Sequence, residues 1–207
     1  CVFAASDDGH LYCVDAATGR ELWRYSPAPS EHRALGNQRV IHMWPARGGP
    51  VVFEDTVYFA AGVWPFQGTF IVALDARTGT LVWENRGDGS DWQRQPHGGA
   101  FSFAGISPQG YLAATEDRLV VAGGRSTPAL LDRATGKLIF TDVFGQGVGG
   151  YRVATDGTHF YNHGCQYRLS DSVRVGGSAH IANETLQRRA RELRRELDGD
   201  VFTELAA

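Results

Sequence analysis

Apolar residues fall in short runs along the first 170 positions, and most runs stop at a turn bearing Gly or Asp. Val57-Tyr58-Phe59-Ala60-Ala61, Phe70-Ile71-Val72-Ala73-Leu74 and Leu119-Val120-Val121-Ala122 are examples. Runs of that length, rich in β-branched and aromatic residues and closed by turn formers, predict strands rather than helices. The turns also repeat. Ala73-x-Asp75-x-x-Thr78-Gly79-x-x-x-Trp83 is matched earlier by Cys13, Asp15, Thr18, Gly19 and Trp23, and later by Leu130, Asp132, Thr135, Gly136 and Phe140. An Asp carboxylate accepts backbone N–H groups in such a turn, and Gly supplies the positive φ that closes a type I turn with a bulge. The aromatic four residues after the Gly then stands at a fixed place in the outgoing strand, suited to wedge between neighbouring sheets. A hairpin repeated at intervals of tens of residues predicts a propeller or solenoid.

Residues Cys1–Ser6 align with Val57–Gly62, so the chain enters the repeat at a second strand. Gly62, Gly124 and Gly164 end equivalent strands, 62 and 40 residues apart. About 40 residues make one four-stranded blade, and the excess is inserted loop, where propellers carry function. The expected architecture is all-β: a β-propeller of four-stranded antiparallel blades, about four in number, partial or compact, plus one C-terminal amphipathic helix. Blades are expected at 1–25, 51–85, 111–142 and 151–175, with blade two's strands near 51–54, 56–61, 69–75 and 80–85. Long connectors fill 30–50 and 86–110, and a tight insertion fills 62–68. Blade four loses the pattern after Tyr167-Arg168-Leu169. A helical insertion is expected over 176–198, capped by Asn183 and running to about Leu197. Leu186, Ala190, Leu193 and Leu197 share one face of it. Residues 199–207 read as the first strand of a further blade, in a segment of a longer propeller, or as a strand closing blade one.

The thrice-used hairpin resembles the tryptophan-docking repeat of the PQQ-type quinoprotein β-propellers, a family that also holds the non-catalytic scaffold of outer-membrane-protein assembly. The resemblance covers about residues 1–170. It implies that the Trp of one blade stacks on the Gly-containing turn of the next, and that the protein works outside the cytoplasm, in the periplasm or cell envelope. For dehydrogenase members it implies PQQ stacked on a Trp, Ca²⁺ held by carboxylate and amide oxygens, a catalytic Asp base and often a vicinal Cys-Cys pair. This chain has no Cys-Cys pair and no Cys-x-x-Cys-His haem site. Its Trp23, Trp83, Asp15, Asp75 and Asp132 are accounted for by the repeat. The expectation is a non-catalytic binding or scaffolding module with no cofactor. PQQ with calcium belongs to the alternative, a fragment of a PQQ-dependent quinoprotein dehydrogenase.

Composition narrows the partners. With 207 residues, 21% charged and a formal charge of −3, the chain has no electrostatic reason to bind nucleic acid or an anionic membrane. No apolar run approaches the roughly 18–20 residues of a membrane span, and no signal peptide is visible. Of three cysteines, Cys13 is expected opposite about Ala4 rather than Cys1, so no disulfide framework is expected. No catalytic residue and no metal site is expected. His159 and His163 stand about 13 Å apart along one strand, too far for joint ligation.

The candidate binding residues are those the repeat does not require. Arg39, His42, Trp44 and Arg47 lie in one inserted loop, Trp64 with Phe66 in a second, Trp92 with Gln95 and His97 in a third, and Arg125 after blade three's second strand. Aromatics beside Arg and His suit a protein partner or a small planar or carbohydrate-like ligand. The competing reading is that Trp-Pro pairs pin long loops onto the propeller face.

Overall fold

Side chains alternate sides along a strand, so a strand that is apolar at every position must be covered on both faces. A computed structural model, which describes residues 1–36, 38–87, 91–94, 99–124, 128–141 and 150–176, shows how. Four antiparallel sheets stack side by side in chain order as β-propeller blades. Blade one is three-stranded: β1 (Val2–Ala5), β2 (Leu11–Val14) and β3 (Glu21–Tyr25). A separate hairpin follows, β4 (Arg33–Gly36) with β5 (Arg39–His42). Blade two is β6 (Ala46–Phe53), β7 (Thr56–Ala61), β8 (Phe70–Asp75) and β9 (Leu81–Asn85). A second hairpin, β10 (Asp91–Arg94) with β11 (Phe101–Ala104), precedes blade three. Blade three is β12 (Leu112–Ala114), β13 (Arg118–Val121), β14 (Ala129–Asp132) and β15 (Leu138–Thr141). Blade four is β16 (Val153–Thr155), β17 (His159–Asn162), β18 (Cys165–Arg168) and β19 (Arg174–Gly176).

The period of two divides the apolar residues between seams. Val57, Phe59 and Ala61 of β7 face blade one with Leu11, while Tyr58 and Ala60 face blade three with Leu119 and Val121. Val120 and Leu130 turn the other way, to meet Phe160, Cys165 and Tyr167 of blade four. Where the innermost strands meet, side chains give way to glycine. A Cβ on Gly48 would lie 1.9 Å from the Gly110 carbonyl oxygen, and one on Gly110 2.2 Å from that of Tyr151. The Tyr111 N–H donates across this contact to the Tyr151 carbonyl at 2.8 Å.

The repeated turn is built as its residues demand. One oxygen of Asp75 accepts the Thr78 N–H at 2.8 Å and the Thr78 hydroxyl at 2.9 Å, and Asp15 and Asp132 hold Thr18 and Thr135 in the same way. Gly19, Gly79 and Gly136 take φ of 71°, 72° and 71°, each beside a register shift in its hairpin. Trp23 docks on Gly79 and Trp83 on Gly136, while Phe140 packs against Tyr167 at the next seam.

Three features differ from the sequence reading. Connectors 30–50 and 86–110 each contain a hairpin, and β6 starts at Ala46 through a bulge between Arg47 and Val51 instead of near residue 51. Blade four is completed by β19 although the Asp-x-x-Thr-Gly signature is lost after Leu169. Cys13 stands opposite Phe3, not Ala4, because Ser6 and His10 pair across a three-residue turn centred on Asp8. All three cysteines are free. The expected helix and the closing strand of residues 199–207 lie outside the described residues.

Candidate binding face

In an antiparallel meander every second connection emerges at the same end of the strands. The links β1–β2, β3–β6, β7–β8 and β9–β12 therefore share one face, and the two extra hairpins both belong to it. The Asp-Thr-Gly turns lie at the opposite end.

On this face Arg39, His42, Trp44 and Arg47 come together around the blade-one turn. Asp7 is the hub that the sequence reading missed. Its carboxylate takes Arg39 Nη2 on one oxygen and Arg47 Nε on the other, the latter at 3.2 Å. Its backbone carbonyl accepts the His42 N–H at 2.9 Å. The His42 side chain is buried at 4% exposure, and its Nδ1 accepts the Trp44 backbone N–H at 3.2 Å. The Trp44 indole N–H donates to the Gln67 carbonyl at 2.7 Å, and the ring meets the Phe70 edge, 6.5 Å between centroids. Trp44 thus ties one inserted loop to another, the pinning role weighed above for Trp-Pro pairs. Beside it, Tyr12 donates to Asp8 at 2.6 Å, which raises the tyrosine pKa. Partial burial pushes Asp8 upward, yet the hydrogen bonds from Tyr12 and the His10 N–H leave it net below the usual carboxylate range.

A different set of side chains faces solvent. Trp64 and Phe66, 52% and 64% exposed, stack on each other around the 3₁₀ turn Pro65–Gln67 with centroids 6.4 Å apart. Trp92 stands opposite Phe103 in the β10–β11 register, so both lie on one side of that hairpin with Phe101. Trp92 meets Phe103 at 5.3 Å and Phe101 at 6.5 Å, and all three are more than half exposed. β11 adjoins the Pro65–Gln67 turn, so the five rings form neighbouring groups on one face. Phe101 and Phe103 were legible as an alternating Phe-Ser-Phe, but only their register with Trp92 makes them part of a patch. Gln95, His97 and Arg125 lie outside the described residues.

Among the described residues no group of three or more His, Cys, Asp or Glu side chains is placed to hold a metal ion, and no helix is long and apolar enough to cross a membrane. The two docking Trps are committed as well. Trp23 lies against Gly79 and Phe3, and Trp83 against Gly136 and Tyr58.

A family model described as "Outer membrane protein assembly factor BamB" matches residues 1–91 and 67–170. Among curated proteins, the quinohemoprotein alcohol dehydrogenase ADH IIB of Pseudomonas putida is 31% identical over 85 residues, which cover 41% of this chain and 11% of that protein. The dehydrogenase subunit of the quinone alcohol dehydrogenase of Gluconobacter oxydans (strain 621H) is 33% identical over 98 residues, covering 43% and 12%. The chain thus spans about a tenth of the curated relatives it matches. Among solved structures, BamB from Moraxella catarrhalis superposes with a TM-score of 0.56 at 16% identity, over 84% of this chain and 45% of that one. The quinohemoprotein alcohol dehydrogenase ADHIIG from P. putida HK5 gives 0.59 at 16% identity, over 84% and 32%. At such identities the likeness is one of fold.

Proposed function

The chain belongs to the PQQ-like repeat family whose model carries the description outer membrane protein assembly factor BamB, and from that premise we propose that it is a non-catalytic scaffolding module that binds a protein partner through its connector face. One observation carries this reading: Trp64, Phe66, Trp92, Phe101 and Phe103 stand exposed on segments that the blades do not need. Exposed apolar patches on a soluble surface mark contact sites, and aromatic anchors dominate the energy of protein interfaces. The arginines Arg39 and Arg47, neutralised in part by Asp7, supply a polar rim. The family description further supports work outside the cytoplasm, in the periplasm or cell envelope; cell fractionation with an antibody to the chain checks this.

The test is cross-linking of the intact chain in an envelope extract, comparing wild type with Trp92→Ala/Phe103→Ala. The expected result is a discrete cross-linked species lost in the double variant, with thermal stability retained. Undiminished cross-linking by the variant would refute the proposal. The dehydrogenase relatives favour a second reading, a piece of a PQQ-dependent quinoprotein. Quenched Trp fluorescence and a raised melting temperature on adding PQQ with Ca²⁺ would establish that reading over the first.

A further inference from the structure

His42 is the one buried histidine among the described residues, and its ring acts as an acceptor. That role fixes its chemistry. Nδ1 takes the Trp44 N–H only while it carries no proton, so the neutral ring holds its hydrogen on Nε2. A protonated ring donates from both nitrogens, which would set Nδ1–H against the Trp44 N–H. We propose that His42 is a pH latch: acidification breaks the His42–Trp44 bond and loosens the connector that fastens the β4–β5 hairpin and the Trp64–Phe66 turn to blade one.

The connector is placed for this. The His42 and Ala46 N–H groups donate to the carbonyls of Asp7 and Ser6 at 2.9 and 3.0 Å, joining it to the blade-one turn. On its other side Gly62 N–H donates to the Pro45 carbonyl at 3.0 Å, and the Trp44 indole holds Gln67. Both aromatic-turn anchors therefore leave from the residues that follow His42. The ring has little room to turn aside, since a Cβ on Gly9 would lie 2.8 Å from its Nδ1.

The charged and titratable groups around the ring come from both sides of one cleft. From blade one, Asp7, Asp8, His10, Tyr12 and Arg24 line the same cleft as His42; from the hairpin, Arg33 and Arg39 do, with Glu31 from the segment just before it. Arg33 is the cross-strand neighbour of His42. Asp7 is engaged by Arg39 and Arg47, and Asp8 by Tyr12 and His10. Among the described residues no carboxylate hydrogen-bonds the ring.

The test is amide hydrogen exchange of residues 42–46 and 62–69 in the whole chain between about pH 8 and pH 5, the span in which histidines titrate, corrected for intrinsic exchange. In wild type the Trp44 amide is expected to lose protection about tenfold or more on acidification, as for a local opening. His42→Asn, whose side-chain oxygen replaces the Nδ1 acceptor and cannot be protonated in this range, is expected to show a flat profile. Should that variant fail to fold, imidazole NMR of the wild type decides, because the His42 titration must coincide with the Trp44 change. Unchanged protection, a midpoint that differs from the His42 titration, or a pH response abolished by His10→Gln would each overturn the latch. None of these readouts requires a bound partner, so failure of the latch and failure of the scaffold reading are separate results.

Discussion

A single atom decides how two blades join. The glycine of each repeat turn has the same φ, but its surroundings differ: a Cβ on Gly136 would stand 2.3 Å from the Trp83 ring, one on Gly79 2.7 Å from Trp23, and one on Gly19 would meet nothing within 4 Å. Alanine at any of the three carries the left-handed penalty of about 1–2 kcal/mol. At Gly79 and Gly136 the methyl must also displace a docked indole, adding about 1–3 kcal/mol of overpacking. Urea denaturation should therefore rank Gly19→Ala clearly milder than Gly79→Ala and Gly136→Ala. Three equal losses would mean that the Trps do not dock where the structure places them. The seams are also not identical. Trp83 Nε1–H donates to the Arg133 carbonyl at 2.9 Å, whereas the equivalent nitrogen of Trp23 is buried without a partner. Arg133 reaches across the same seam to the Tyr58 hydroxyl at 3.1 Å and over the Phe53 ring at 4.4 Å. Position 76, its counterpart in blade two, is alanine, so the blade two–blade three seam carries cross-blade contacts from this position that the first seam lacks.

At the scale of elements, blade four shows what a motif reads and what it hides. Its last turn has no Asp-x-x-Thr-Gly, yet the backbone repeats it. The Ser172 N–H donates to the Arg168 carbonyl at 2.8 Å and the Arg168 N–H to the Val173 carbonyl at 2.9 Å, as Gly19 and Asp15 do in blade one. Arg168 takes the place of the Asp and pairs with Asp171, and Ser172 takes the glycine's place at φ 60°. The side chains are replaced and the turn is kept, so a search for residue identities loses the motif after Leu169 while the hydrogen bonds carry the sheet on to β19. A serine held in the left-handed region is strained by about 1 kcal/mol. Ser172→Gly should therefore raise the unfolding free energy by about that amount, measured by denaturant titration; a loss of stability would show that the hydroxyl has an essential bond. The strands of blades two and three and all three docking aromatics were legible because each follows from local periodicity and a fixed spacing. The hairpins within the connectors were not. Leu35 and Val40 face each other across β4–β5 with 87% and 61% exposure, so no buried stripe marked those strands. Asp7 was also illegible as a hub, because its partners Arg39 and Arg47 lie 32 and 40 residues away.

For the whole molecule the two ends of the strands differ in their response to acid. At the turn end, three carboxylates titrate below their ordinary range: Asp15 and Asp132 chiefly through the hydroxyls of Thr18 and Thr135, Asp75 chiefly through the Thr78 N–H. Asp156, on the first turn of blade four, is lowered further, first by the Tyr161 hydroxyl. A carboxyl whose folded pKa lies below its unfolded value of about 4 gives its full stabilisation above that value and loses it as pH falls through the folded value. Global stability should therefore change little in this respect between pH 7 and 5 and drop below about pH 4. Among the described residues the connector end carries one lowered carboxylate, Asp8, held by the Tyr12 hydroxyl rather than by a Thr, and its buried acceptor is the His42 imidazole. Urea midpoints at pH 7, 5 and 3 test the turn end. They should fall mainly in the last step, and Thr78→Val/Thr135→Val, which removes two hydroxyl donors while keeping the turns' glycines, should shrink that fall. A midpoint at pH 3 equal to that at pH 7, or a fall untouched by the threonine variants, would show that these carboxylates do not fasten the blades. With the proposed latch, acid loosens the connector face before the stacked blades, placing that response where the exposed aromatics are.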